Sequence, residues 1–283
     1  MTATATPTSQ KVFPDHKLVT HMPFFDGTTL LFCQAGDPVE KTVMSQGSIW
    51  KTLRRNPALA AQMNIPPQSQ QMRYRPWKLA FCNWRSKKIH SITTGLPGNG
   101  IECSPAFYWE ADQVHLSFIS GRPSSHGLAY RLYTSSGPDL EHLTPPKPLP
   151  NGPVFFGFVS PHHICWGAGN TLRLIEKGSG KTFRFKTDFV RVRRVTFLAA
   201  DPAKLLITGY DNERQHHTVL YDLATGNVFD VSSEGSVYKS SLHEGHLIYA
   251  MKPEGGFESR ELYHADCTLS PSTIKISQGE LYV

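Results

Sequence analysis

One pattern recurs along the chain and restricts the fold more than any other feature. It is a short strand, a turn of Gly, Asp, Glu or Asn, and a second, strongly apolar strand. Copies run over Leu18–Gly36, Ile101–Gly121, Phe158–Gly178, Arg194–Asp211 and Ser236–Gly255. The cores HMPFF, CSPAF and VSPHH place a proline at the same point in the first three. A third strand, and usually a fourth, follows each hairpin, as in HHTVLYDLATGNVFDVS after the fourth copy. Four antiparallel strands repeated about every 40 to 55 residues are the blade of a β-propeller. The sequence therefore predicts an all-β fold, a five-bladed β-propeller formed by one domain over residues 1–283.

Composition agrees. The 22 Gly and 21 Pro call for many turns, and 11% aromatic residues suit short strands better than long helices. The first copy is lengthened by Ser48–Gln71, where SIWKTLRR and NPALAAQMN read as helices with Asn56-Pro57 as a start signal. This predicts a small basic helical insertion in blade one. Residues 1–10 read as a flexible tail. Two segments qualify as the strand that closes the ring, Gln10–Phe13 and Thr273–Val283, and the sequence leaves both open. No apolar run reaches the ~18 residues of a membrane span, and MTATATPTSQ has no signal-peptide pattern. The five cysteines lack CxxC spacing and read as reduced thiols. The expectation is a cytoplasmic protein with no membrane partner; its oligomeric state is not legible.

Charge is unevenly spread around a net of +6. From Lys41 to Ile101 there is no Asp or Glu, while ten basic residues occur there, among them Arg54, Arg55, Arg73, Arg75 and Lys78. A second cluster, Arg173 to Arg194, has eight basic residues against Glu176 and Asp188. Such asymmetry points to an anionic partner: a phosphate-bearing ligand, an acidic glycan or nucleic acid. Trp50, Tyr74, Trp77 and Trp84 are interleaved with the first cluster and suit base stacking.

In a propeller the innermost strands converge on a central channel. The polar side chains near their starts include His21, Glu102, Ser104, Ser160, His162 and Lys239. Tyr108, Trp109, Phe155, Phe156 and Trp166 are candidates to stack on sugar rings. No Walker loop, dinucleotide glycine motif or nucleophile elbow is present, and no HxH or HExxH spacing marks a metal site, so neither cofactor nor metal is expected.

The inner-strand form, with Pro before an aromatic residue and then a turn and an apolar strand, resembles the five-bladed propeller glycosidases. These are the arabinanase and β-xylosidase group and the invertase and fructosidase group. Glu102-Cys103-Ser104-Pro105 is similar to the Glu-Cys-Pro run that carries the acid catalyst of invertase-type enzymes, and by that resemblance Glu102 is the general acid. Glycoside hydrolysis needs a second carboxyl group. Met22 and Ser160 stand where those families place Asp, which leaves Asp15 and Asp26 as candidate partners; Asp26, in FFDGTT, reads as a hairpin turn. Three functions follow: a module that binds a sugar or anionic ligand at the channel mouth and basic face, a glycoside hydrolase using Glu102, or a protein-interaction scaffold.

Overall fold

The computed structural model describes residues 10–13, 20–37, 39–44, 69–74, 76–97, 100–124, 127–149, 154–232, 238–244, 246–251 and 261–280. Among them every regular element is a strand. The arrangement is all-β and propeller-like, built from antiparallel meanders. The first contains β2 (Thr20–Phe25), β3 (Thr29–Ala35), β6 (Trp77–Asn83) and β7 (Ile89–Ser91). The next contains β8 (Ile101–Glu110), β9 (Gln113–Ser124), β10 (Gly127–Gly137) and β11 (Lys147–Pro148). A single parallel pairing, Trp77 with Ile101, joins these two units into one eight-stranded sheet.

Further along, β12 (Phe156–Val159), β13 (His163–Ala168), β14 (Thr171–Glu176) and β15 (Thr182–Thr187) form a third unit. A fourth comprises β16 (Arg191–Leu198), β17 (Asp201–Tyr210), β18 (His216–Asp222) and β19 (Val228–Ser232). The last meander is β20 (Tyr238–His243), β21 (His246–Met251) and β22 (Glu261–Asp266). The opening strands touch in sequence, β2 against β8, β8 against β12, β12 against β16, β16 against β20, and β20 returns to β2.

Both chain ends add edge strands. β1 (Gln10–Lys11) pairs with β22, so the predicted tail ends in a strand at Gln10. β23 (Thr268–Pro271) pairs with β19, and β24 (Ile276–Glu280) pairs with β15. The two candidate closing segments are thus both used, on different sheets. Between β3 and β6 the chain makes a two-stranded ribbon of β4 (Val39–Met44) and β5 (Ser69–Tyr74). Residues 48–68 of the predicted helical insertion lie outside the described residues. Its last residues, 69–71, begin β5 and are strand, because pairing with β4 overrides the weak local pattern of SQQMRY.

The recurrent proline has a structural cause. In β2 the register shifts between His21 and Phe24, and in β8 between Cys103 and Ala106, so Met22-Pro23 and Ser104-Pro105 are β-bulges. Proline has no N–H to give to a ladder, and a bulge is where a strand tolerates it. The third copy differs. Pro161 follows β12 in a tight turn, where the Ser160 N–H donates to the His163 carbonyl at 2.9 Å and the His163 N–H donates to Ser160 Oγ at 3.0 Å. VSPHHIC is therefore the end of β12, a turn and the start of β13 rather than one inner strand.

Phenylalanines from four opening strands fill the centre. Phe24 packs on Phe107 and Phe197 at 5.3 and 5.2 Å between ring centroids, and Phe197 packs on Phe158 at 5.3 Å. All four are essentially inaccessible to solvent. Phe24→Ala removes the ring that touches two other units and should cost about 3–5 kcal/mol. Chemical denaturation should show a lower midpoint, with Phe107→Ala adding less than its own full cost on top because the rings share contacts.

Candidate functional site

The parallel pairing of Trp77 with Ile101 leaves β6 and β8 splayed beyond it, and residues 92–97 lie beside the gap. The result is a cleft of about 370 Å³ lined by Trp77, Lys78, Thr93, Thr94, Glu102 and Arg122, among others. Glu102 stands opposite Ser120 across the β8–β9 ladder, so Arg122 is its diagonal neighbour on the same face. Arg122 Nη2 donates to Glu102 Oε1 at 2.9 Å, and Thr94 Oγ1 donates to the same oxygen at 2.7 Å. Arg122 Nη1 also donates to the Pro97 carbonyl at 3.3 Å, which ties the covering segment to the ion pair. Glu102 is only 6% exposed. A buried charge of this kind persists because it is paired and hydrogen-bonded. Among the described residues lining the cleft, Glu102 is the sole carboxylate.

The other predicted residues are dispersed. Lys78 is exposed on β6 and lines the same cleft as Glu102. Ser104 lies in the β8 bulge, 2% exposed, with a left-handed φ of 51°. Ser160 is fully buried and caps the β12–β13 turn, while His162 is exposed in that turn; neither is on an inner strand as expected. Burial and the adjacent His162 hold the His163 imidazole below its ordinary value. His21 lies on β2, and Lys239 lies at a register shift of β20; their side chains are outside the described ones. Arg73 falls on β5, in register with Glu40 of β4. Asp15, Arg54, Arg55 and Arg75 lie outside the described residues. Asp26 Oδ1 accepts from the Thr28 and Thr29 N–H groups and is a turn residue.

Of the aromatic candidates, Phe156 is buried in the core, whereas Trp109 and Phe155 are about half exposed. Tyr108 borders a second cavity of about 230 Å³ with His115, Val159 and Lys177. Lys177 Nζ donates to Tyr108 Oη at 2.9 Å, the ring stacks on His115, and burial pushes the Tyr108 hydroxyl up to about 12. All five cysteines are free, four of them buried. Among the described residues no three His, Cys, Asp or Glu side chains group to hold a metal ion, and no helix is long and apolar enough to cross a membrane.

Arg122 and Thr94 were not among the residues expected from sequence. Counting back from the Ala111-Asp112 turn brings Ser120-Gly121-Arg122 alongside Glu102, so the diagonal partner was present in the spacing. Thr94 has no comparable signal, since it comes from an irregular segment.

No protein-family model and no curated protein sequence match the chain. Among solved structures it is similar to the GH62 α-L-arabinofuranosidase catalytic domain of Coprinopsis cinerea, with TM-score 0.44 and 10% identity over 93% of this chain and 97% of that one. It is also similar to β-1,2-mannobiose phosphorylase from Listeria innocua, with TM-score 0.42 and 11% identity over 88% and 89%. A third similarity is to TolB from Acinetobacter baumannii, with TM-score 0.42 and 11% identity over 71% of this chain; the chain spans 62% of TolB. The architecture rests on the strand pairing given above.

Gly100 is fixed by the ion pair. A Cβ there would lie 2.6 Å from Arg122 Nη1 and 2.7 Å from its Cζ. Gly100→Ala should push the guanidinium off Glu102 and lower stability by about 3 kcal/mol, the scale for breaking a buried pair. Thermal melts should show Gly100→Ala and Arg122→Ala to be non-additive when combined.

Proposed function

We propose that the chain is a five-bladed propeller that binds a carbohydrate in the cleft between its first two units and does not hydrolyse it. The observation that carries this reading is the state of Glu102. Its Oε1 already accepts from Arg122 and Thr94, and no second carboxylate is among the described cleft-lining residues. Hydrolysis requires two carboxyl groups about 5–9.5 Å apart, one of them a proton donor facing the glycosidic oxygen. A fixed carboxylate beside hydroxyls and a partly exposed indole is instead a set of groups that hold a sugar. Glu102 accepts from ring hydroxyls, Thr93 and Ser91 add donors and acceptors, and Trp77 offers an apolar face. Lys78 at the rim extends the choice to acidic or phosphorylated sugars.

Calorimetric titration with neutral and anionic mono- and oligosaccharides tests this. Trp77→Ala is expected to weaken binding at least tenfold, and Lys78→Gln to weaken only the anionic sugars. Turnover of aryl glycosides that disappears in Glu102→Gln would replace this reading with the glycosidase one.

One observation favours a polyanion as a second ligand. Arg173 and Arg184 are exposed and directly opposite in the β14–β15 ladder, with Lys186 on the same face. Like charges directly opposite repel, and a phosphate chain lying over them removes the penalty. Binding of single-stranded DNA should fall steeply with salt and be lost in Arg184→Glu. No binding at ~50 mM salt rejects it.

A further inference from the structure

We propose that the hub of the fold holds a small monovalent anion, the size of chloride, against the guanidinium of Arg194. Arg194 projects from β16 and is 1% exposed. Its Nε, Nη1 and Nη2 are all buried and have no hydrogen-bond partner among the described residues. Five N–H donors in a rigid fork are thus unsatisfied in a place that water does not reach freely.

The charge persists at neutral pH, since burial pulls the Arg194 pKa down only to about 10. A buried charge without a counter-charge costs several kcal/mol, and proteins pair such groups. The described residues supply no such counter-charge. Glu102 is the only buried carboxylate among them, and Arg122 and Thr94 already engage it. Among the described residues the groups within electrostatic reach of Arg194 are Cys33 on β3 and Cys103 on β8, and an ordinary thiol carries no charge at neutral pH.

Size and charge follow from the surroundings. Arg194, Cys103 and His21 precede Phe197, Phe107 and Phe24 by three, four and three residues on their strands. The guanidinium therefore lies about one layer from the packed phenylalanines, and its own near-complete burial favours a small ion over a bulky one. A single positive charge is neutralised by a single negative one; a divalent anion would leave a net buried charge of the opposite sign. Held there, the ion ties the fourth unit to the first two, and its role is to stabilise the hub. This site is separate from the Glu102 cleft and does not depend on the carbohydrate reading.

The test is thermal unfolding of the full chain while chloride or bromide replaces gluconate at fixed sodium and ionic strength. The wild type should gain about 5–10 °C when the anion exceeds its dissociation constant a hundredfold, rising with the logarithm of halide concentration. Arg194→Met, of similar length and without charge, should show no halide dependence. Indifference of the wild type to the exchange, or an equal rise in Arg194→Met, overturns the proposal. If Arg194→Met does not fold, crystals of the wild type grown in bromide decide. An anomalous peak within hydrogen-bonding distance of the guanidinium supports the site, and its absence there overturns it. Thiolate absorbance that is lost in Cys33→Ser or Cys103→Ser, with no halide response, would make a thiolate the counter-ion and also overturns the proposal.

Discussion

Phe197 lies between Phe24 and Phe158, and Phe24 reaches on to Phe107, so rings from β2, β8, β12 and β16 form one continuous contact. Tilted and edge-on geometries of this kind add about 0.5–1.5 kcal/mol per pair beyond the burial of the rings themselves. The opening strands of neighbouring units converge here, so this cluster joins four separate meanders at one point. It also fills the centre at that depth. A ligand of sugar size has to be accommodated between sheets or at a rim, which is where the Glu102 cleft is found.

Converging strands create a second problem, since each opening strand has one edge without a ladder. Buried N–H and C=O groups need partners. Side-chain hydroxyls supply some of them across units. Ser117 Oγ on β9 accepts from the Val159 N–H on β12 at 2.9 Å and donates to the Ala106 carbonyl at 3.3 Å. Ser241 Oγ on β20 accepts from the Phe25 N–H on β2 at 2.9 Å. Bulges ease the rest by turning the strand locally, and the prolines at 23 and 105 remove two donors altogether. Small hydroxyl residues on otherwise apolar strands are therefore part of the packing, and Ser104 and Ser160 belong with them rather than with a ligand site.

The repeat was legible because hairpin turns and apolar alternation are local signals. Opening strands begin near the expected positions in four of the segments, while in the third β12 ends at Val159, where the strand was expected to begin. Three features were not legible, each for a physical reason. VSPHH looks like HMPFF and CSPAF, but β12 is short and ends at Val159, so the same letters make a turn. SQQMRY carries no strand pattern of its own and becomes β5 only through pairing with residues about 30 positions earlier. The terminal segments were legible as strands, while which edges they cover depends on where three sheets leave ladders unpaired. At the site, Glu102 was identified as a chemically notable carboxylate, but the identity of its partners depended on register and on an irregular connection.

The position of the cleft follows from the junction of the first two units. Isolated backbone hydrogen bonds join other units, such as the Val192 N–H to the Gly169 carbonyl at 2.7 Å, but β6 and β8 share a ladder pairing at a single residue pair and then diverge. The Trp77 N–H donates to the Gly100 carbonyl at 3.0 Å beside that pair, which fixes the end of the connection. Residues 92–97 and Gly100 then line the opening between the two units. Arg122 fills part of it from below, holding the connection through Pro97 and the wall through Glu102. The glycine at 100 lets that guanidinium approach the backbone. The groups proposed to hold a sugar are thus mounted on two units, and the edge between them is held by the Arg122 bonds to the Pro97 carbonyl and Glu102.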